Sequence, residues 1–146
     1  MAIIVETAAG QSNTLQSVMQ ASAPGLVTTD DTNGQAQAVR AGTADLAAIP
    51  SAVVNGRPAL PGDTLAFAAT GIDCSSSAGL NLLIGADVAA VSGVRPLPGH
   101  AGMCEVQAAV PASAFGDAVA VRLQVTSGDG LKQTSNQSTI SVAARF

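Results

Sequence analysis

The chain has 146 residues, of which 47% are hydrophobic and only 11% are charged, and ten acidic against six basic side chains give a formal net charge of −4. So few charges in a hydrophobic chain exclude disorder driven by charge, and a single Lys with five scattered Arg forms no basic patch for nucleic acid. The chain also lacks an apolar run of the roughly 18 residues that a transmembrane helix needs, so neither nucleic-acid binding nor membrane insertion is expected.

Alternation of apolar and polar side chains, which is typical of strands, runs through most of the sequence. Two strand candidates, 2–7 and 13–19, flank the turn AAGQSN near the start of the chain. The best helical pattern is SVMQASA at 17–23, and it runs directly into Pro24. The stretch 43–62 is irregular and predicts a long connection between sheets. The other strand candidates, in chain order, are 25–28, 35–40, 64–69, 81–84, 88–94, 103–110, 118–125 and 138–142.

Pro and Gly concentrate between these candidates, as is typical of a sandwich. The chain has no Trp or Tyr, and its abundant Ala and Val predict a thin core of small side chains. We therefore predict an all-β fold, an antiparallel immunoglobulin-like β-sandwich of roughly 8–10 short strands. A closed barrel is the main alternative.

The two cysteines, Cys74 and Cys104, match no zinc-site spacing, and the single His100 cannot complete a four-ligand site. The options are a disulfide or two buried thiols. Alternation places Cys104 on the same face as Val106, and Cys74 follows the strand 64–69. Two inward-facing cysteines on nearby strands favour a disulfide, and a disulfide favours an oxidising compartment.

We accordingly expect an extracellular or cell-surface location. A surface short of charge and rich in Ser, Thr, Gln and Asn is also typical of such proteins. The first residues, MAIIVETAAG, lack the basic start and the long apolar stretch of a signal peptide. The sequence therefore leaves two readings open, an intracellular protein or an exported protein whose signal has been removed.

The two ends of the chain carry similar patterns. Both patterns begin with a Gly-containing turn, continue with Ser-Asn or Gln-Ser, and end in a run of alternating polar and apolar residues. They are AAGQSNTLQSV at 8–18 and DGLKQTSNQSTISV at 129–142. We interpret 1–22 as a hairpin like the closing strands of a preceding unit, and 23–146 as a β-sandwich domain. The alternative is two generic hairpins in one domain of roughly ten strands. The candidate intersubunit interface consists of the apolar side chains Ile3, Ile4, Val5, Leu15 and Val18.

Three longer segments occur in the order SAPGLVTTDDTNGQAQAV (22–39), RPALPGDTLAFAATGID (57–73) and LPGHAGMCEVQAAVPASAFGDAVAVRLQV (97–125). In this order they resemble the C-terminal β-sandwich domain of predicted secreted acidobacterial proteins, the Solibacter-type uncharacterised domain. The resemblance implies a secreted, immunoglobulin-like unit of unestablished function, with no catalytic residue to transfer.

The chain departs from that family's pattern in two ways. The family's unit begins well upstream of the hairpin at 1–22, so the present arrangement looks cut or rearranged. Cys104 replaces a Tyr of the family, and Cys74 lies at or close to one of its Gly positions. The paired replacement fits a bridge between the two cysteines.

No strong catalytic constellation is present. Ser75, Ser76, Ser77 and His100 lie in predicted loops, and we expect exposed loop residues rather than a Ser-His-Asp triad. Most carboxylates lie in turns, where Asp accepts backbone hydrogen bonds, so we predict that the protein is not an enzyme. The scattered carboxylates are Glu6, Asp45, Asp63, Asp73, Asp87, Glu105, Asp117 and Asp129.

The best metal candidate is the segment TDDTNG at 29–34, where Asp30, Asp31 and Asn33 could offer oxygen ligands to calcium. The twelfth position of an EF-hand loop would be Arg40 rather than Glu. A polar turn is therefore the preferred interpretation, and no cofactor is expected.

These observations predict a non-enzymatic structural or interaction module of a secreted or cell-surface protein, such as a stalk, a spacer or a subunit of a head-to-tail extracellular filament. Its partners would be other copies or neighbouring domains of the same surface protein. One alternative is an adhesion module that binds a glycan or a protein through the loops 29–34, 73–79 and 95–102, although Trp and Tyr for stacking on sugars are absent. Another is a phage virion decoration or fibre protein.

Overall fold

The computed structural model describes residues 1–17, 22–29, 34–49 and 55–144. Within these ranges the chain forms thirteen strands and no helix, and consequently no helix that could span a membrane. The helix-like stretch 17–23 lies largely outside them. The strands are β1 (Ala2–Ile3), β2 (Glu6–Thr7), β3 (Gly10–Gln11), β4 (Leu15–Gln16), β5 (Gly25–Leu26), β6 (Ala38–Arg40), β7 (Thr64–Thr70), β8 (Leu80–Ile84), β9 (Asp87–Pro96), β10 (Met103–Ala109), β11 (Gly116–Thr126), β12 (Lys132–Thr134) and β13 (Ser138–Val142).

Nine strands, β5 to β13, form one sheet of antiparallel pairs in the order β12-β11-β8-β9-β10-β7-β5, with β13 beside β11 and β6 beside β7. The long strand β9 joins the two halves of this sheet, because its first part pairs with β8 and its last part pairs with β10. The two margins of this sheet meet at β13, where isolated β-bridges join Thr139 to Gln35 and Val142 to Ala59. The all-β antiparallel prediction is confirmed, and the sheet is nearly closed and barrel-like.

Asn136 helps to close the sheet with its side chain. Its Oδ1 accepts a hydrogen bond from the N–H of Leu26 at 2.9 Å, and its Nδ2 donates to the carbonyl oxygen of Leu26 at 3.1 Å. The side-chain amide thus satisfies both backbone groups of Leu26, as a neighbouring strand would.

Alternation along the strands selects the core. In β7, Leu65, Phe67 and Ala69 face inward and are at most 1% exposed. Opposite them in β10, Val106 pairs with Phe67 and is fully buried. Among the described residues, Phe67 is the only aromatic side chain of the core cluster, as expected of a core built from small residues. Other members of the cluster are Leu80, Leu82, Ile84, Val121, Leu123, Ile140 and Val142.

The connection 43–62 is irregular, as predicted. Its described parts, 43–49 and 55–62, contain no strand and only isolated bridges, at Leu46, Gly56 and Ala59. It runs between β6 and β7 and adds to the closure of the sheet through the bridge from Ala59 to β13.

Strand β7 defines two ends of the nine-stranded body. At its last residue lies the junction end, where the N–H of Ala23 donates to the carbonyl oxygen of Gly71 at 2.9 Å and the chain arrives from the hairpin. At its first residue lies the distal end, where Thr64 pairs with Ala109 and the loop 110–115 follows. The seven residues of β7 separate the two ends by about 20 Å, at roughly 3.3 Å per residue.

Candidate interaction surface

Residues 1–17 fold on themselves into a hairpin, which we call the N-terminal hairpin. Strand β1 pairs with β4, and β2 pairs with β3. In the middle, the N–H of Ser12 donates to the carbonyl oxygen of Val5 at 2.8 Å, and the Ser12 hydroxyl accepts from the N–H of Val5 at 3.0 Å. The turn ends at Gly10, whose φ of +133° is open to glycine and rare for other residues. The predicted turn is present, and the paired strands are shorter than 2–7 and 13–19.

The N-terminal hairpin exposes its apolar side chains. Every residue from 1 to 16 is exposed. The exposed fractions of the interface candidates are 40% for Ile3, 49% for Ile4, 60% for Val5 and 62% for Leu15. Ile3 and Leu15 lie directly opposite each other across β1 and β4, so the two make one apolar cross-strand pair. The fifth candidate, Val18, lies outside the described residues.

The N-terminal hairpin is separate from the core of the body. Within the described residues, none of its strands pairs with a strand of the nine-stranded sheet. The core cluster contains no residue before Leu26. The described core is therefore complete without the hairpin, and we expect the body to fold when residues 1–17 are removed.

The two cysteines lie at disulfide distance, as the sequence predicted, with their Cα atoms 5.4 Å apart. Cys104 is fully buried in β10, where it pairs with Ala69 of β7. Cys74 lies in the loop 71–79 between β7 and β8. A bond here ties this loop to the sheet at the junction end, and such a pair is compatible with an extracellular location.

The loop 71–79 also forms one wall of a cleft of about 480 Å³ at the junction end. The other wall is the end of β11 and the turn that follows it, residues 125–128. Ile72 and Leu80 give the cleft an apolar part, and Ser76 and Ser127 give it hydroxyl groups. Of the three loops predicted for ligand binding, 73–79 contributes to this cleft.

Asp73 gives the same cleft a negative charge. The hydroxyl and the N–H of Ser75 both donate to its Oδ1, at 2.6 and 2.9 Å. These hydrogen bonds hold the pKa of Asp73 below its ordinary value of 3.8, so the carboxylate is ionised at neutral pH. The loop 95–102 does not line the cleft, and the loop 29–34 is described only at Thr29 and Gly34.

The catalytic candidates are exposed loop residues. Ser75, Ser76, Ser77 and His100 are all exposed, and the Ser75 hydroxyl donates to Asp73. In the described ranges no hydrogen bond joins His100 to any of these serines. The described residues therefore do not show a Ser-His hydrogen bond of the kind that a catalytic triad uses.

The structure describes no metal site. No group of three His, Cys, Asp or Glu residues that could hold an ion occurs in the described part of the chain. The calcium candidates Asp30, Asp31 and Asn33 lie outside it.

Several carboxylates take part in ion pairs. Asp63 lies 2.9 Å from Arg40, and Glu105 lies 2.9 Å from Arg95. The hydrogen bond from Gln107 is the main cause that lowers the pKa of Glu105 below 4.5, and Arg95 adds to it against the opposing effect of partial burial. Each of these two carboxylates thus has a cationic partner within ion-pair distance.

Three further exposed apolar side chains were not singled out from the sequence. Leu60 is 41% exposed, Val88 is 64% exposed and Phe115 is 70% exposed. The sequence signal for Leu60 and Phe115 is a large apolar residue inside a turn-rich segment, RPALPGD or PASAFGD. Val88 lies in strand β9 and gives no comparable signal. We call these three residues the distal patch.

Comparison with protein-family models, with curated proteins and with solved structures found no match for this chain.

Proposed function

We propose that the protein is a non-enzymatic structural or interaction module that associates with other copies of itself through the N-terminal hairpin. One observation carries the proposal, a hairpin that is exposed at every residue from 1 to 16 and still presents Ile3, Ile4, Val5 and Leu15. A lone two-stranded hairpin is marginally stable at best in water. A partner surface would give this hairpin the burial that it lacks.

The energetic gain from such burial is substantial. Complete burial of an Ile, Val or Leu side chain contributes about 1.5–3 kcal/mol. About half of the surface of these four side chains is already buried in the free chain. Burial of the other half would therefore contribute about 3–6 kcal/mol in total. Association of two proteins costs several kcal/mol in lost freedom of motion, so the partner surface must add apolar contacts of its own.

The proposed place of action is the cell surface or the extracellular space. The cysteine pair supports this, because disulfides persist in oxidising compartments. The resemblance to the Solibacter-type domain of secreted proteins supports it as well. A filament subunit, a stalk and a spacer all require a module that binds its neighbours, and the head-to-tail filament is the version that the exposed hairpin favours.

Deletion of residues 1–17 tests the proposal. The full chain should form filaments in negative-stain electron microscopy, with a repeat of about 40 Å for one body and its connection. The deletion variant should stay monomeric in sedimentation velocity and melt at nearly the same temperature, because the described core begins at Leu26. Assemblies that survive the deletion, or a full chain that stays monomeric at high concentration, would contradict the proposal.

A second candidate function, binding of a small ligand such as a glycan, is favoured by the cleft at the junction end. Its volume of about 480 Å³ lies within the range of roughly 300–1,000 Å³ that is typical of ligand sites. The variant Ser76→Trp would fill the cleft from an exposed loop position. Glycan-array signal that is present for the full chain and lost in this variant would support a binding module, and a flat array for both would count against it.

A further inference from the structure

We propose that the distal patch, Leu60, Val88 and Phe115, is the surface that receives the N-terminal hairpin of a second copy of this chain. This inference rests on the proposed self-association and names its acceptor. The hairpin leaves the body at one end, and the acceptor lies at the other.

The distribution of exposed apolar side chains carries the inference. Five of the large exposed apolar residues in the described chain lie in the hairpin, three lie in the distal patch, and one lies elsewhere. They are Met1, Ile3, Ile4, Val5 and Leu15 in the hairpin, Leu60, Val88 and Phe115 in the patch, and Leu131 in the β11–β12 turn. Two surfaces that each lack apolar contacts within one chain can supply them to each other between chains.

The chain topology brings the three residues of the distal patch to one region. Val142 of β13 has Ala59 on one side and Gly116 on the other. Leu60 directly follows Ala59 and Phe115 directly precedes Gly116, so the two residues flank the end of β13 from opposite sides.

Val88 joins the patch through the loop 110–115. The hydroxyl of Ser113 donates a hydrogen bond to the carboxylate of Asp87, the residue before Val88. This contact holds the start of β9 against the loop that carries Phe115. Val88 and Leu60 thus lie in segments that bond to the β10–β11 connection, at Ser113 and Val110, and Phe115 lies within that connection.

The positions of the two surfaces determine the kind of assembly. The hairpin joins the body at the junction end, where Ala23 bonds to Gly71. The patch lies beyond Thr64, at the other end of β7. A contact between different surfaces at opposite ends of a chain is heterologous, and without ring closure it continues into a filament.

The exposed apolar area would supply about half of a standard protein interface. From their exposed fractions, the eight side chains together expose on the order of 800 Å², against roughly 1,600 Å² in total for a standard protein interface. Side chains of this kind form the centre of an interface, and the backbone and polar groups around them form its rim.

The first test compares two serine substitutions at exposed loop residues in the full chain. Phe115→Ser should raise the concentration needed for assembly by at least about tenfold, as expected when a central aromatic side chain is lost. Leu131→Ser is the matched control, because Leu131 is 60% exposed and belongs to neither surface, and it should assemble like the original chain. Both variants should keep the original melting temperature. Leu60→Ser offers a second acceptor variant with the same expected direction.

A mixing experiment separates the two surfaces. The Phe115→Ser chain retains its hairpin, and the chain that lacks residues 1–17 retains its patch. Each should be monomeric alone in sedimentation velocity, and a mixture should form a one-to-one complex that grows no further.

The outcomes distinguish this inference from the function on which it rests. If Phe115→Ser and Leu60→Ser assemble at the original concentration while the deletion variant does not, the acceptor lies elsewhere and only this inference is overturned. The same holds if Leu131→Ser loses assembly equally, or if the mixture forms no complex. A full chain that never assembles, or a deletion variant that does, overturns the proposed self-association as well.

Discussion

Gly71 shows how one residue fixes the junction between the hairpin and the body. Its φ is +73°, and a Cβ atom at this position would lie 1.8 Å from the carbonyl oxygen of Ala23. Gly130 has a similar φ of +84°, with nothing within 4 Å of its Cβ position. Alanine would be strained at both sites by about 1–2 kcal/mol, but it would clash with backbone only at Gly71.

We predict that Gly71→Ala lowers the free energy of unfolding by at least about 2 kcal/mol more than Gly130→Ala does. Chemical denaturation of the two variants beside the original chain measures the difference. Equal losses would show that the segment around Ala23 moves aside at little cost.

Single residues also show which structural features could be predicted from the sequence alone. Alternation in MCEVQAAV predicted that Cys104 faces inward together with Val106, and both are fully buried. The exposure of Phe115 was not predicted, because a large apolar residue in a loop can either fold back on the core or stay outside. That outcome depends on how the loop 110–115 packs against distant parts of the chain, which local alternation does not encode.

The cysteine pair restrains one element of the structure, the loop 71–79. Its two positions are 30 residues apart, and a bond that closes a loop of this length stabilises the folded state by roughly 3–4 kcal/mol in the chain-entropy account. We predict that a reductant lowers the free energy of unfolding by about this amount. Denaturation with and without reductant measures it. The double variant Cys74→Ala and Cys104→Ala is the control, and its stability should not change with reductant; a sensitive control would mean that the reductant acts elsewhere.

The two similar patterns at the ends of the chain form hairpins with different surroundings. Strands β11 and β12 form a hairpin around 127–131, and β11 also pairs with β8 and β13 inside the sheet. The N-terminal hairpin pairs only with itself in the described chain. The pattern predicted both hairpins because turn residues and alternation are local signals. It could not predict which one would be buried, because that depends on whether other strands reach it.

At the scale of the whole molecule, eight of the nine large exposed apolar side chains in the described chain lie in the N-terminal hairpin or the distal patch, and Leu131 lies in the β11–β12 turn. A barrel-like sheet with few free edges offers little opportunity for strand addition along its sides, which favours the proposed association through apolar contacts between the ends. The sequence predicted the hairpin as one such surface. It did not predict the distal patch, because Leu60, Val88 and Phe115 come together only through the closure of the sheet at β13.

An assembly held by apolar contacts should respond to salt in a definite direction. Each copy carries a formal net charge of −4, so copies repel one another at low ionic strength. Raising NaCl from about 0.1 to 1 M shortens the screening length from about 10 to 3 Å, which weakens this repulsion and leaves apolar contacts intact. Sulfate strengthens the burial of apolar surface further.

We therefore predict that the assembled fraction of the full chain, measured by sedimentation velocity at one protein concentration, stays constant or rises over this range of NaCl and rises again when sulfate replaces chloride. The Phe115→Ser variant is the control, and it should stay monomeric in NaCl. A fall of the assembled fraction in NaCl would mean that attraction between opposite charges holds the copies together. The contact would then have to be sought among the ion-paired side chains of the sheet surface, such as Arg95 and Glu105, rather than at the two ends.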